Sequence, residues 1–209
     1  MKSIIFVVTF LIVSATSCKS QNHNSKSQPQ VGGPCEGCEA IFEYGDKKLS
    51  PTDTLPGFSE NESKLKITGT LFKIDGKTPA ADVILYIYHT NRDGIYPVRG
   101  DESGWARRHG YIRGWIKTGS DGKYTFYTFR PASYPDRSEP QHIHVTVKEP
   151  GKNEYYLDSY FFDDDPLLTD NHRKTANRGG SGIVQIESGD EISYIHRDII
   201  LGLNIPDYK

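Results

Sequence analysis

From Leu65 onward the chain alternates between apolar and polar positions. Leu65, Ile67, Gly69 and Leu71 interleave with Lys66, Thr68 and Thr70, the period of two expected of a strand with one buried and one wet face. Asp75-Gly76-Lys77-Thr78-Pro79 supplies the turn that ends it. Val83 to His89 is apolar or aromatic on both faces until its last residue, which predicts a central strand covered on both sides. Tyr111 to Thr118, Lys123 to Phe129, His142 to Lys148, Tyr155 to Phe162, Ile183 to Ile186 and Ile192 to Leu201 continue the series. Gly119-Ser120-Asp121-Gly122 predicts a hairpin between the first two of these. About eight strands with no long helical period predict an all-β fold, a β-sandwich of mainly antiparallel strands. Two connections are long, residues 94 to 110 and 163 to 180, and long ordered loops are where sites tend to be built.

The first 64 residues follow a different pattern. Lys2 precedes an apolar run from Ile4 to Val13, the length of a signal-peptide core and too short to span a bilayer. Ser14-Ala15-Thr16-Ser17 and then Cys18 follow. This resembles a bacterial lipoprotein signal over residues 1–18, in which Cys18 becomes the lipid-modified first residue; Ala15 stands where Leu is usual. An ordinary secretory signal with an incidental cysteine shares the charged start and apolar centre. Either reading predicts export. The first adds a membrane anchor and places the protein in the periplasm or at the outer membrane. Residues 19–33 read as a flexible tether, since 19 to 30 hold no apolar residue, and His23 within them is assigned to solvent. Residues 34–64 form an N-terminal extension, loop-like from 45 to 64, ahead of a sandwich domain over 65–209.

Composition narrows the class without changing it. Thirteen tyrosines, twenty glycines, twelve prolines and one methionine suit short strands and tight turns. With 25 basic against 27 acidic residues no basic face is implied, so nucleic acid is not an expected partner. Oligomeric state is not legible. In an oxidising compartment Cys35 and Cys38 of Cys-Glu-Gly-Cys predict a local disulfide. Half a zinc site is the rival, but no second cysteine or histidine pair at suitable spacing completes it.

The chemistry-bearing stretch is Tyr134-Pro-Asp-Arg-Ser-Glu-Pro-Gln-His-Ile-His144. In a strand His142 and His144 share one face and Ile143 takes the other. Two imidazoles on one face are half of a metal site; two solvated histidines at a strand end are the alternative. Asp163-Asp164-Asp165 reads as a solvated turn rather than a hard-cation loop, because its acids are adjacent instead of alternating.

Five segments in order resemble the intradiol ring-cleavage dioxygenases, the catechol and protocatechuate dioxygenases among them. They are Tyr88-His-Thr-Asn-Arg-Asp-Gly-Ile-Tyr96, Thr118-Gly-Ser-Asp-Gly-Lys-Tyr-Thr-Phe126, Pro131-Ala-Ser-Tyr-Pro135, Gln141-His-Ile-His-Val145 and Phe162-Asp-Asp-Asp-Pro-Leu167. The resemblance spans most of residues 65 to 203. It implies that Tyr96, Tyr134, His142 and His144 bind non-haem Fe(III), Tyr134 being the ligand that leaves when substrate binds. It also implies opening of a catechol-type ring between its hydroxylated carbons, with O2 as co-substrate. The donor set is chemically apt: two phenolates offset much of a trivalent charge and imidazoles suit iron. Aromatic packing at strand ends is the plain alternative for the tyrosines.

The chain departs from the family in two places. Glu139 stands where the family carries an arginine, three residues before the first ligand histidine, with Arg137 two residues earlier as a candidate substitute. Ser159 stands where it carries a glutamine. Losing one positioned electrostatic group typically costs roughly 10² to 10³ in rate, so iron binding is better supported than fast turnover. A non-catalytic exported binding module on the same sandwich, gripping iron, a catechol-bearing compound or a carbohydrate, is the competing expectation; the Asp-Gly turn with Tyr-x-Phe also occurs in carboxypeptidase-regulatory and transthyretin-like sandwiches.

Overall fold

The computed structural model describes residues 30–209; the expected signal segment, Cys18 and the tether through residue 29 lie outside the described residues. In chain order the strands are β1 (Thr52–Thr54), β2 (Lys64–Phe72), β3 (Ile84–Tyr88), β4 (Arg113–Lys117), β5 (Lys123–Phe129), β6 (His142–Lys148), β7 (Tyr155–Phe162), β8 (Ile183–Val184), β9 (Ser193–His196) and β10 (Ile199–Ile200). A 3-10 turn spans Cys38–Phe42, and two short helices, α1 (Ala106–His109) and α2 (Asp170–Thr175), sit in the two long connections. None of the described helices is long and apolar enough to cross a membrane.

The strands make two five-stranded sheets packed face to face. In the first, β2 pairs antiparallel with β5, which carries β1 on its other edge, while β9 and β10 run parallel along the far side of β2. The second has the order β4-β3-β6-β7-β8. The long ladders are antiparallel, and the parallel pairings are short edge additions. Alternation decides which faces meet. Leu65, Ile67, Leu71 and Phe126 of one sheet bury against Leu85, Ile87, Ile143, Val145 and Val147 of the other. Full burial of such a side chain contributes about 1.5–3 kcal/mol.

The outer face of the second sheet is covered too. Tyr86 and Trp115 project there and bury under Ala40 and Ile41 of the 3-10 turn, so β3 is apolar on both faces for a visible reason. The extension is thus part of the sandwich: β1 pairs with β5, and Leu55 joins the main core.

Several expectations are corrected. The turn at Gly119–Gly122 does not close a ladder hairpin, because β4 pairs with β3 and β5 with β2; it carries the chain from one sheet to the other. The strand expected over 192–201 is split at Arg197-Asp198. There the Arg197 carbonyl accepts from the buried Tyr124 hydroxyl at 2.6 Å instead of a strand neighbour. Its guanidinium turns inward to the carbonyls of Asp158 (2.7 Å) and Arg178 (3.0 Å). Val31 and Gly32, expected within the tether, are packed instead. Val31 is buried, Asn153 clamps its backbone N–H and carbonyl at 2.8 and 3.0 Å, and Gly32 donates to Pro206. Thr52–Thr54 was expected as loop; its threonines and aspartate give no apolar run, and the strand exists because β5 offers an open edge.

Candidate functional site

Strand β6 presents His142 and His144 on the outer face of its sheet while Ile143, between them, is fully buried in the core. The core residue fixes the strand's register, and the register fixes the imidazoles. His142 Nδ1 donates to the Pro140 carbonyl at 2.7 Å, which leaves Nε2 as an acceptor facing outward. Opposite His144 the pairing slips: Ile143 faces Tyr160 but Val145 faces Leu157, so Asp158 and Ser159 together oppose one histidine. That bulge places Ser159 on the wall of the cavity beside His144.

The two tyrosines arrive on loops that are fastened to each other. Thr90 Oγ1 donates to the Ala132 carbonyl (2.7 Å), the Ala132 N–H donates to the Asn91 carbonyl (3.1 Å), and Arg92 donates to the Arg130 carbonyl (2.8 Å). At the closest approach Gly94, at φ 76°, faces the Ser133 carbonyl so tightly that a Cβ there would lie 2.0 Å from its oxygen. Only glycine permits both the conformation and the contact, and both tyrosines lie within two residues of it.

Four polar atoms consequently converge. Tyr96 Oη lies 2.8 Å from Tyr134 Oη and 2.8 Å from His144 Nε2. Tyr134 Oη is 3.3 Å from His142 Nε2, and the two Nε2 atoms are 3.1 Å apart. Burial lowers the pKa of both histidines, with like-charged His142 adding to the effect at His144 and the Pro140 hydrogen bond opposing it at His142. Burial also raises both phenols, most strongly Tyr96; the hydrogen bond between them adds to the effect at Tyr96 and opposes it at Tyr134. Neutral imidazoles with their Nε2 atoms 3.1 Å apart, beside phenols that resist ionising, form a donor set suited to a cation. A cation there would hold the phenols as phenolates. Separations of this size match neighbouring donors in the shell of a first-row metal, whose bonds to N and O run about 2.0–2.2 Å.

Aromatic rings back this cluster. Tyr88, paired across the ladder with His144, stacks on it at 4.4 Å, and His109 stacks on Tyr88 at 3.8 Å with the rings 5° from parallel. Trp105 follows at 5.5 Å, while Tyr86 bonds His109 Nδ1 at 2.9 Å. A pocket of about 210 Å³ opens on Tyr96, Tyr134 and His144 between Trp105, His109, Arg108 and Glu36. An adjoining cavity of about 370 Å³ runs from His144 beneath the loop of Cys35 and Cys38, which are joined as a disulfide with Cα atoms 5.6 Å apart.

Other sequence candidates fall elsewhere. Arg137 lies on an exposed turn at φ 55° and its side chain bonds none of the four convergent groups. Glu139 faces His172 at 3.5 Å. Asp163 and Asp164 form the expected solvent-accessible turn, and the correction is Asp165, which is buried; each of the three has a partner. Asp163 pairs with Arg173, and Asp164 takes both Nη atoms of Arg130 at 2.8 and 2.7 Å. Asp165 is buried and accepts the N–H groups of Gln141 (2.7 Å) and Leu167 (2.8 Å). Arg130 also donates to Gln141 Oε1 at 2.6 Å. Arg130 and Asp165 thereby hold the residue immediately before His142. Sequence reasoning gave no role to them or to Tyr88 and Trp105, and it reached Arg108 and His109 only as members of the long connection over residues 94 to 110. Tyr88 carried a further signal, being two residues from Tyr86 on the same face of β3.

Comparison with known proteins adds an independent line. The family profile described as Dioxygenase matches residues 46–187. Catechol 1,2-dioxygenase 1 of Acinetobacter lwoffii is 30% identical over 156 residues, covering 67% of this chain and 47% of the relative. Chlorocatechol 1,2-dioxygenase of Cupriavidus pinatubonensis is 28% identical over 160 residues, covering 69% and 58%. The chain thus spans about half the length of the curated relatives it matches. Among solved structures, the dioxygenase domain of a dioxygenase carbohydrate-binding protein fusion from Streptomyces sp. SirexAA-E aligns with a TM-score of 0.57 at 23% identity, covering 84% of this chain and 98% of that one. Catechol 1,2-dioxygenase from Pseudomonas arvilla C-1 aligns at 0.55 and 17% identity, covering 83% and 61%. These structural likenesses show the shared fold.

Proposed function

The chain belongs to the intradiol ring-cleavage dioxygenase family, and from that premise we propose that it binds Fe(III) through Tyr96, Tyr134, His142 and His144 and cleaves a catechol-type aromatic with O2. The observation that carries this reading is the ring of two phenol oxygens and two imidazole nitrogens, each 2.8–3.3 Å from its two neighbours. A bound ferric ion supplies the template for both substrate hydroxyls and withdraws charge from the ring. The chain's own groups do the rest. Tyr134 is the less strongly raised of the two phenols that line the pocket and would be one of the residues holding the ion, able to carry a proton on its Oη. The Pro140 carbonyl keeps His142 in one tautomer. Tyr88, His109 and Trp105 stack into a column that lines one side of the pocket with aromatic surface.

The test is direct. Purified protein supplied with iron should bind about one equivalent, show visible tyrosinate-to-iron absorption, and consume oxygen with catechols. Tyr96→Phe and His142→Ala should each lose the metal and the colour. Metal-free, colourless protein after iron supplementation would sink the reading. A second reading, a non-catalytic module holding iron or a catechol-bearing ligand, is favoured by one observation: Glu139 occupies the family's arginine position and faces His172 rather than the pocket. Coloured protein inert to oxygen with every catechol tried would select it. We further propose that residues 1–18 direct export and lipid attachment at Cys18; labelled palmitate should enter the wild-type protein and not Cys18→Ser.

A further inference from the structure

The family match begins at residue 46, so the disulfide loop that roofs the cavity beside His144 lies outside it. Both ends of that loop are fixed. Asn153 and Pro206 hold Val31 and Gly32 on one side, and on the other Ala40 and Ile41 are buried with Tyr86 and Trp115. Between these anchors Gly33, Pro34, Cys35 and Glu36 make no backbone hydrogen bond to any of the described residues. Their ties are the Cys35–Cys38 bond and the Glu36–Arg108 pair. That pair is exposed, with side-chain accessibilities of 73% for Glu36 and 63% for Arg108, and exposed ion pairs hold weakly. The disulfide therefore supplies most of the constraint on a segment whose residues Pro34 to Cys38 all line the cavity.

We propose that Cys35–Cys38 is a thiol–disulfide exchange site with a protein dithiol as its partner, and that the bond latches the roof: oxidised, the loop covers the cavity; reduced, it opens. The exchange is independent of the dioxygenase reading, and only its effect on turnover rests on that reading. The two sulfurs are placed unequally. Cys35 is half-buried and within reach of an attacking thiolate, whereas Cys38 is 2% exposed. A partner thiolate attacks Cys35 Sγ, forming a mixed disulfide and breaking the bond to Cys38, whose sulfur leaves with the electron pair. Thr146 Oγ1 stands 4.0 Å from that sulfur, so its hydroxyl is placed to donate to the departing thiolate. The partner's second thiol then attacks its own sulfur of the mixed disulfide and releases Cys35. The partner loses two electrons, the loop gains them, and the two protons of the dithiol pass to the two cysteines. A dithiol is required because Cys38, three residues away, re-closes the bond on any partner that lacks a second thiol. Gly37, at φ 86°, packs so closely on His109 that a Cβ there would lie 2.9 Å from Nε2. Loosening the loop thus uncovers the aromatic column as well as the cavity, and a segment without backbone hydrogen bonds opens at low cost.

Three measurements on the full chain test this. In metal-free protein, alkylation with mass mapping should find Cys35 and Cys38 protected, then labelled once dithiothreitol is added, while circular dichroism shows an intact fold. Cleavage after Glu36 by glutamyl endopeptidase, referred to cleavage after the exposed Glu62, should rise roughly tenfold on reduction, because proteolysis follows the open population. The Cys35→Ser/Cys38→Ser variant should show the same rise without reductant. Loaded with iron, that variant should gain roughly fivefold in kcat/KM for the bulky 4-tert-butylcatechol and change less than about twofold for catechol. Cysteines that stay unlabelled until the chain unfolds overturn the proposal. So does a Glu36 cut that reduction leaves unchanged, or a variant with wild-type kcat/KM for both catechols. Failure to bind iron or consume any catechol defeats the dioxygenase reading instead; labelling and proteolysis of the metal-free protein still decide the latch.

Discussion

At the level of single residues the site depends on positions that carry no reactive group. Gly94 is the sharpest case: its backbone meets the Ser133 carbonyl where a Cβ would lie at 2.0 Å, and Tyr96 and Tyr134 flank that contact. Gly94→Ala should leave the protein folded, since the clash is confined to two surface loops, but weaken iron binding by roughly 10- to 100-fold, the range seen when supports of metal ligands are lost. Iron titration followed by visible absorption checks it, and unchanged affinity would show that the loops are not rigidly coupled. Asp165→Asn should act in the same direction from the other side, because it weakens the anchor on Gln141, next to His142. The His-x-His pair was legible in sequence as alternate positions on a strand, while Tyr96 and Tyr134 were singled out by the resemblance to the intradiol dioxygenases. Arg108 and His109 were not, because their role comes from α1 folding across a cleft to meet Glu36, 72 residues away in sequence.

At the level of elements, six strands were legible nearly to the residue, since period-two alternation or unbroken apolar runs mark a strand whichever neighbour it finds. Partner choice was not. The Gly119–Gly122 turn has hairpin chemistry, yet it joins different sheets, because β4 pairs along its whole length with β3 and β5 along its whole length with β2. The break between β9 and β10 likewise reflects a contact distant in sequence. Arg197 is 4% exposed, and its guanidinium satisfies carbonyls of Asp158, Arg178 and Gly180. Arg197→Met should therefore strand at least two buried acceptors and cost about 2–4 kcal/mol in urea unfolding. It should also loosen the bulge at Asp158 and Ser159 opposite His144. A loss below about 0.5 kcal/mol would mean that water replaces the guanidinium.

For the whole molecule, pH offers a test independent of the metal. His89 is fully buried, donates through Nδ1 to the Thr90 carbonyl at 2.7 Å and accepts from Thr128 at 2.6 Å. Burial lowers its pKa to about 4, and His109 is lowered to about 4 by burial together with Arg113. The unfolded chain takes up these protons near pH 6.5, before the folded one does, so stability is complete above that pH and falls as pH drops toward 4. For His89 the slope is at most about 1.4 kcal/mol per pH unit. Urea midpoints measured on metal-free protein between pH 7 and 4 should fall, and less steeply in His89→Gln; a flat profile would contradict the burial of a neutral imidazole. The sequence by itself determined the all-β class, the six long strands and the shared face of His142 and His144, because alternation is a property of the chain; Tyr96 and Tyr134 entered through the resemblance to the intradiol dioxygenases. Tertiary structure decided what covers those residues. The disulfide loop, the Tyr88–His109–Trp105 wall and the Glu36–Arg108 pair are assembled from segments whose meeting depends on how two sheets pack, which no local pattern encodes.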